Sequence, residues 1–187
     1  MTNASMLYVQ QSLAPDEEII HIGHFHWMYD VKAVMNIVWG CIFSLMIIFG
    51  ALLIQNKVGI SLSSYRVGAG GGWFDMFRAL HPGIKLMAFL CFLFGLFRFA
   101  QMMVFKATTE IAITTSRLIY KRGLIARNVG EMSIDRIEGV NVLQGILGRI
   151  FDYGRVLVRG MGVGEVILPP LARPVVFRKA IEKARMS

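Results

Sequence analysis

Two long apolar runs dominate the first 105 residues, and short alternating runs broken by turn residues fill most of the remaining chain. Ala33 to Ile54 is 22 residues without a charged side chain, and Leu86 to Phe105 is 20 residues with one, Arg98. At about 1.5 Å per helical residue they reach about 33 and 30 Å, the thickness of a bilayer's hydrocarbon core. Each is predicted to be a transmembrane helix, at about 33–54 and 86–105. Beyond them, Glu110–Thr114, Leu118–Tyr120, Asn128–Ile134, Gly139–Val142 and Gly154–Gly160 read as strands, separated by Thr-Thr-Ser, Lys-Arg-Gly and further glycines. Strands so short and turns so frequent predict an antiparallel sheet packed on one face, not a βαβ unit. Pro174 to Met186, with Val175, Val176, Ala180 and Ile181 apolar among charged neighbours, reads as an amphipathic closing helix with proline in its first turn.

The division expected is a juxtamembrane segment over 1–31, a hairpin over 32–106 and a sheet domain over 107–187. Residues 1–18 hold no Lys or Arg and end on Asp16-Glu17-Glu18, so no signal peptide is expected there. Glu18 to Trp27 reads as a strand or extended segment arriving at the membrane, with Trp27 and Tyr29 suited to the headgroup level. On a strand His24 and His26 share a face and His21 opposes them. With no cysteine nearby, that falls short of the three or four ligands zinc takes, and no metal is expected. Between the spans, Val67–Gly72 is a glycine run that lacks the Gly-Lys-Ser/Thr of a phosphate loop. Phe74, Phe77 and Leu80 fall at helical spacing before His81-Pro82-Gly83, which fits a short interfacial helix or a loop packed on the helix ends.

At about 100° per residue, Gly40, Ser44 and Ala51 share one face of the first span. Ala88, Cys91, Gly95 and Arg98 share one face of the second. Small residues let helix backbones approach closely in lipid, so these faces are the expected packing and oligomer surfaces. A charge near mid-bilayer costs about 2.5–3.5 kcal/mol. Arg98 is therefore expected in a packed or water-lined position, with Gln101 or a backbone carbonyl as partner.

Composition supports a membrane protein: 55% of residues are hydrophobic and only 17% are charged, against about a quarter charged in soluble domains. The net charge of +8 is then assigned to topology and anionic lipid, and nucleic acid is not expected as a partner. Cys41 and Cys91 both lie in the spans, which excludes a disulfide framework. Nothing nucleophilic or acid–base stands out: the sheet region has no His or Cys, and Asp135 and Glu138 flank Arg136 as a surface ion-pair cluster would. The chain is not expected to be an enzyme or to need a cofactor.

Several spaced motifs also resemble those of the bacterial pleckstrin-homology (PH) domain family. They are Ile113-Thr-Thr-Ser-Arg-Leu-Ile119, Lys121-Arg-Gly123, Ile134-Asp-Arg-Ile-Glu-Gly-Val140, Leu147-Gly-Arg-Ile-Phe-Asp-Tyr-Gly154 and Arg173-Pro174. The resemblance covers roughly 107–185. It implies a bent, seven-stranded antiparallel sheet closed by a C-terminal helix, and hence an α+β membrane protein with a two-helix hairpin ahead of a PH-like domain. It implies no particular ligand. Two functions are weighed on that basis. The first is a membrane-anchored interaction module that self-assembles as a ring-like homo-oligomer at the cytoplasmic face of the bacterial inner membrane, or pairs with another membrane protein. Leu143, Ile146, Leu147, Ile150 and Phe151 are too many apolar residues for so small a sheet to bury, and they mark the expected interface. The alternative is a module that binds anionic phospholipid headgroups, for which Lys121, Arg122 and Arg127 are the candidate contacts.

Overall fold

The computed structural model describes residues 7–58, 72–123, 128–162 and 164–186. Arg127 and the glycine run up to Gly71 lie outside the described residues. The chain forms two compact units, Met1–Asp30 with Met103–Ser187, and Val31–Met102.

The first unit is built from two antiparallel sheets. Strands β1 (Ile19–Ile22), β2 (Glu110–Thr114), β3 (Arg117–Arg122) and β4 (Asn128–Ser133) pair in that order. In the second sheet β5 (Ile137–Leu143), β6 (Tyr153–Gly160) and β7 (Gly164–Ile167) pair in order, and β8 (Leu171–Ala172) joins β6. Alternation along β6 buries Val156 and Val158 and exposes Arg155 and Arg159, the period-two pattern of a sheet with one covered face. The core gathers Ile111, Ile113 and Leu118 from one sheet, Ile137, Val156 and Val158 from the other, and Phe177 and Ile181 from the closing helix. Each such side chain, fully buried, stabilises the fold by about 1.5–3 kcal/mol.

That closing helix is α6 (Pro174–Ala184) in the element order α1 to α6; Pro174 occupies its first turn and Arg173 precedes it at a φ of 52°. A short helix, α1 (Leu7–Ser12), sets Val9 against Ala112 and Ile119 on the outer face of the first sheet, so β2 is buried on both sides. The expected seven-stranded sheet is thus eight strands in two sheets. The N-terminal segment supplies β1, which bonds along β2 from Ile19 opposite Thr114 to Ile22 opposite Ala112.

In the second unit, α2 (Trp27–Val58) and α4 (Pro82–Thr108) continue beyond the two apolar runs at both ends. Both are long and apolar enough to cross a membrane, and only 11% of each apolar window is buried inside the chain. Gly40 and Gly95 meet at their crossing. A β-carbon on Gly95 would stand 2.6 Å from the Asn36 carbonyl and 2.9 Å from the Gly40 Cα. Ala51 and Ala88 are buried on the same faces, and Ser44 and Cys91 are half-buried. Arg98, expected in a packed or water-lined position, is not packed at the crossing within one chain. It follows Gly95 by three residues, about 60° around the helix, which carries it off the crossing, and its side chain is exposed. Between the long helices α3 (Trp73–Ala79) is a helix, not a loop; the Asp75 carboxylate accepts the Gly72 N–H at 3.2 Å, and Leu80 is buried while Phe74 is exposed. The ends of α2 and α4 that belong to the first unit are joined by Lys106 and Asp30, with Nζ 2.6 Å from Oδ1.

Candidate interaction surface

The connection from β5 to β6 contains α5 (Ile146–Ile150), and its backbone is held by residues with no room to vary. A β-carbon on Gly148 would fall 2.5 Å from the Tyr153 carbonyl oxygen, and one on Gly154 2.9 Å from the Leu143 carbonyl oxygen. Asp152 turns the chain at a φ of 53°. The Gln144 amide then donates to the Gly148 and Tyr153 carbonyls, at 3.2 Å each. So the glycines and the Asp-Tyr turn of the Leu147–Gly154 motif form a clamp. The clamp presents apolar side chains outward: Ile146 is 82% exposed, Ile150 69%, Leu147 55%, Leu143 51% and Phe151 40%. The sequence places all five together but shows no helix there, because five residues are too few to show a period.

Beside this patch, the Phe151 ring meets Trp27 edge-on with centroids 5.8 Å apart. Trp27 opens α2, so the apolar surface continues to the first residue of a long apolar helix. Arg149 sits within the patch and Arg155 opposite Leu143 in the β5–β6 register. Both are exposed, and neither is ion-paired among the described residues.

Of the basic residues that the sequence offers for anion contact, Lys121 and Arg122 have neighbours within the chain. Lys121 Nζ is 2.6 Å from a Glu110 oxygen and 5.1 Å above the Tyr8 ring. The Arg122 guanidinium lies 6.0 Å from the Phe105 ring centroid, and Arg127 is outside the described residues.

A second polar cluster is buried and structural. Arg117 reaches both Glu17 oxygens, Nε to Oε1 at 3.0 Å and Nη2 to Oε2 at 2.8 Å; it also bonds Glu131 and the Ser12 carbonyl. Glu17 further accepts from the Thr114 and Ser116 hydroxyls and the Ala14 N–H. The Arg117 guanidinium, helped by those hydrogen bonds and opposed by burial, holds the Glu17 carboxyl down to about 2. This cluster staples the N-terminal segment to the Thr-Thr-Ser-Arg turn.

The histidines also have structural places. The His21 ring meets Phe177 edge-on, and burial lowers its pKa. His26 accepts the Met28 N–H at the start of α2 and stacks on Tyr153. Among the described residues no three His, Cys, Asp or Glu side chains cluster as a metal site would.

Residues 31–185 match the family described as Bacterial PH domain. No curated protein and no solved structure matches the chain. PH domains are in general non-catalytic modules that take lipid or protein partners. With 155 of its 187 residues inside the match, this chain belongs to the bacterial PH domain family.

Proposed function

We propose that the chain is a non-enzymatic, membrane-anchored interaction module that self-assembles, with α2 and α4 crossing the bacterial inner membrane and the PH-like unit on the cytoplasmic side. The observation that supports self-assembly best is the clamped apolar surface of α5. A rigid patch of large apolar side chains left in water marks an interface, and closed symmetry is the default when a surface mates with copies of itself. The hairpin's small-residue faces are a weaker candidate for that role, since Gly40 and Gly95 already serve the contact within one chain.

Ile146→Ser with Leu147→Ser should therefore shrink the particle measured by native mass in nanodiscs while leaving it in the membrane. A parent that runs as a 21.0 kDa monomer in both detergent and nanodiscs would exclude self-assembly. For orientation, a cysteine at Glu182 in a background lacking Cys41 and Cys91 should resist labelling by a membrane-impermeant maleimide until the cells are opened. Labelling from outside intact cells would reverse the topology.

A second reading, anionic-lipid headgroup binding, is favoured by Trp27 against Phe151 and by Arg149 and Arg155, which have no ion-pair partner among the described residues. Aromatic rings settle at headgroups and basic side chains are drawn to anionic lipid. If the serine pair leaves particle mass unchanged but weakens the unit's protection from surface-acting protease in anionic vesicles, this reading replaces the first.

A further inference from the structure

The hairpin carries a charge, Arg98, with no ion-pair partner among the described residues. With only hydrogen atoms where Gly40 and Gly95 cross, a trough of about 720 Å³ opens beside them, a size usual for ligand sites. Trp39, Phe43, Leu90 and Phe94 give it apolar walls, and Asn36 and Arg98 its polar lining. The Trp39 and Phe43 rings stack at 5.7 Å, which makes one wall a continuous flat surface. The Asn36 amide donates to the Lys32 carbonyl and to Met102 Sδ. Arg98 makes no hydrogen bond or ion pair among the described residues.

On the reading that α2 and α4 cross the membrane, Arg98 is deep. α4 is about 40 Å long against a hydrocarbon core of about 30 Å, which leaves the Arg98 backbone about 10 Å inside the nearer boundary. Helical side chains lean toward the helix N-terminus, here away from that boundary, so simple snorkelling is disfavoured. A second copy of the chain cannot supply the counter-charge. From Val31 to Thr109 its only carboxylate is Asp75, which already accepts the Gly72 N–H.

We propose that the trough is a binding site for an anionic phospholipid, its phosphate drawn down to Arg98 and an acyl chain lying along Trp39 and Phe43. An arginine presents a planar fork that matches phosphate geometry, and drawing the headgroup inward by local thinning of the bilayer is how such charges are accommodated.

The test uses the full chain with Trp27→Phe and Trp73→Phe, so that Trp39 is the only reporter. It is reconstituted in phosphatidylcholine vesicles containing a small fraction of chain-brominated lipid, either phosphatidylglycerol or phosphatidylcholine. Brominated phosphatidylglycerol should quench Trp39 at a mole fraction about fivefold lower than brominated phosphatidylcholine, the ratio one arginine sustains with anionic lipid. Arg98→Gln should abolish the preference and Arg98→Lys should keep most of it. Equal quenching in the parent, or a preference that survives Arg98→Gln, overturns the site. Quenching by neither lipid overturns the membrane reading itself, and the site with it.

Discussion

Arg117→Met is expected to destabilise the sheet unit by about 3 kcal/mol, the low end for removing one partner of a buried ion pair. The low end applies because the arginine is partly open while Glu17 is nearly sealed, with side chains 26% and 2% exposed. The variant leaves a carboxylate in a dry place with only hydroxyls and one N–H around it. Acid gives the effect a second signature. In the parent the Glu17 carboxyl titrates at about 2 instead of 4.5, so its contribution, roughly 3 kcal/mol, is complete above pH 4.5 and is lost as pH falls toward 2. Without the guanidinium the carboxyl loses the largest influence that holds its pKa down, so it takes up a proton at higher pH than in the parent, and that protonation relieves the variant. The gap between parent and variant should therefore be widest near neutrality and close below about pH 4. Denaturant unfolding in detergent, followed by near-ultraviolet dichroism across that range, reads it. A gap of constant size down to pH 3 would mean that Arg117 contributes packing and not charge.

Gly95→Leu is expected to pry the hairpin apart. A β-carbon there meets the Asn36 carbonyl oxygen and the Gly40 Cα. Both are backbone atoms and cannot rotate away, so α2 and α4 must separate along their crossing. Overpacking of this kind costs about 1–3 kcal/mol. The matched control is Gly50→Leu, because Gly50 has nothing within 4 Å of where its β-carbon would stand. That change removes a glycine from a helix interior at no steric cost, and it should be neutral or slightly stabilising. Thermal melts of the purified chain in one detergent compare them. Equal melting temperatures for the two variants would show that the Gly40–Gly95 contact does not limit hairpin stability.

These two sites mark what could be read along the chain and what could not. The hairpin was legible because its signals are local: a run of apolar residues is long enough to span or it is not, and small residues repeat at helical spacing whatever they face. Strands β2 to β6 were legible for the same reason, through alternation and through the turn residues between them. The α5 patch could be named as apolar excess from five side chains, since a small sheet has limited interior.

The remaining features depend on residues far apart in sequence. The pairing of β1 with β2, the α1 cover over β2 and the Glu17–Arg117 cluster join positions about a hundred residues apart. No period or spacing records such a pairing; it exists only when the hairpin returns the chain to its own N-terminal segment. The same holds for β7 and β8, too short to show alternation, and for Lys121, whose charge reads as free until Glu110 is seen beside it. Arg98 shows the limit most plainly. Its sequence position marks it as a costly charge in an apolar helix, but only the Gly40–Gly95 crossing decides that it lines an open trough and not a packed seam. Sequence by itself determined the two long helices, the closing helix, strands β2 to β6 and the apolar surface of α5, because those depend on nearest neighbours along the chain. Tertiary structure alone decided which charges are paired and which are left free, because pairing depends on distances that only the folded chain sets.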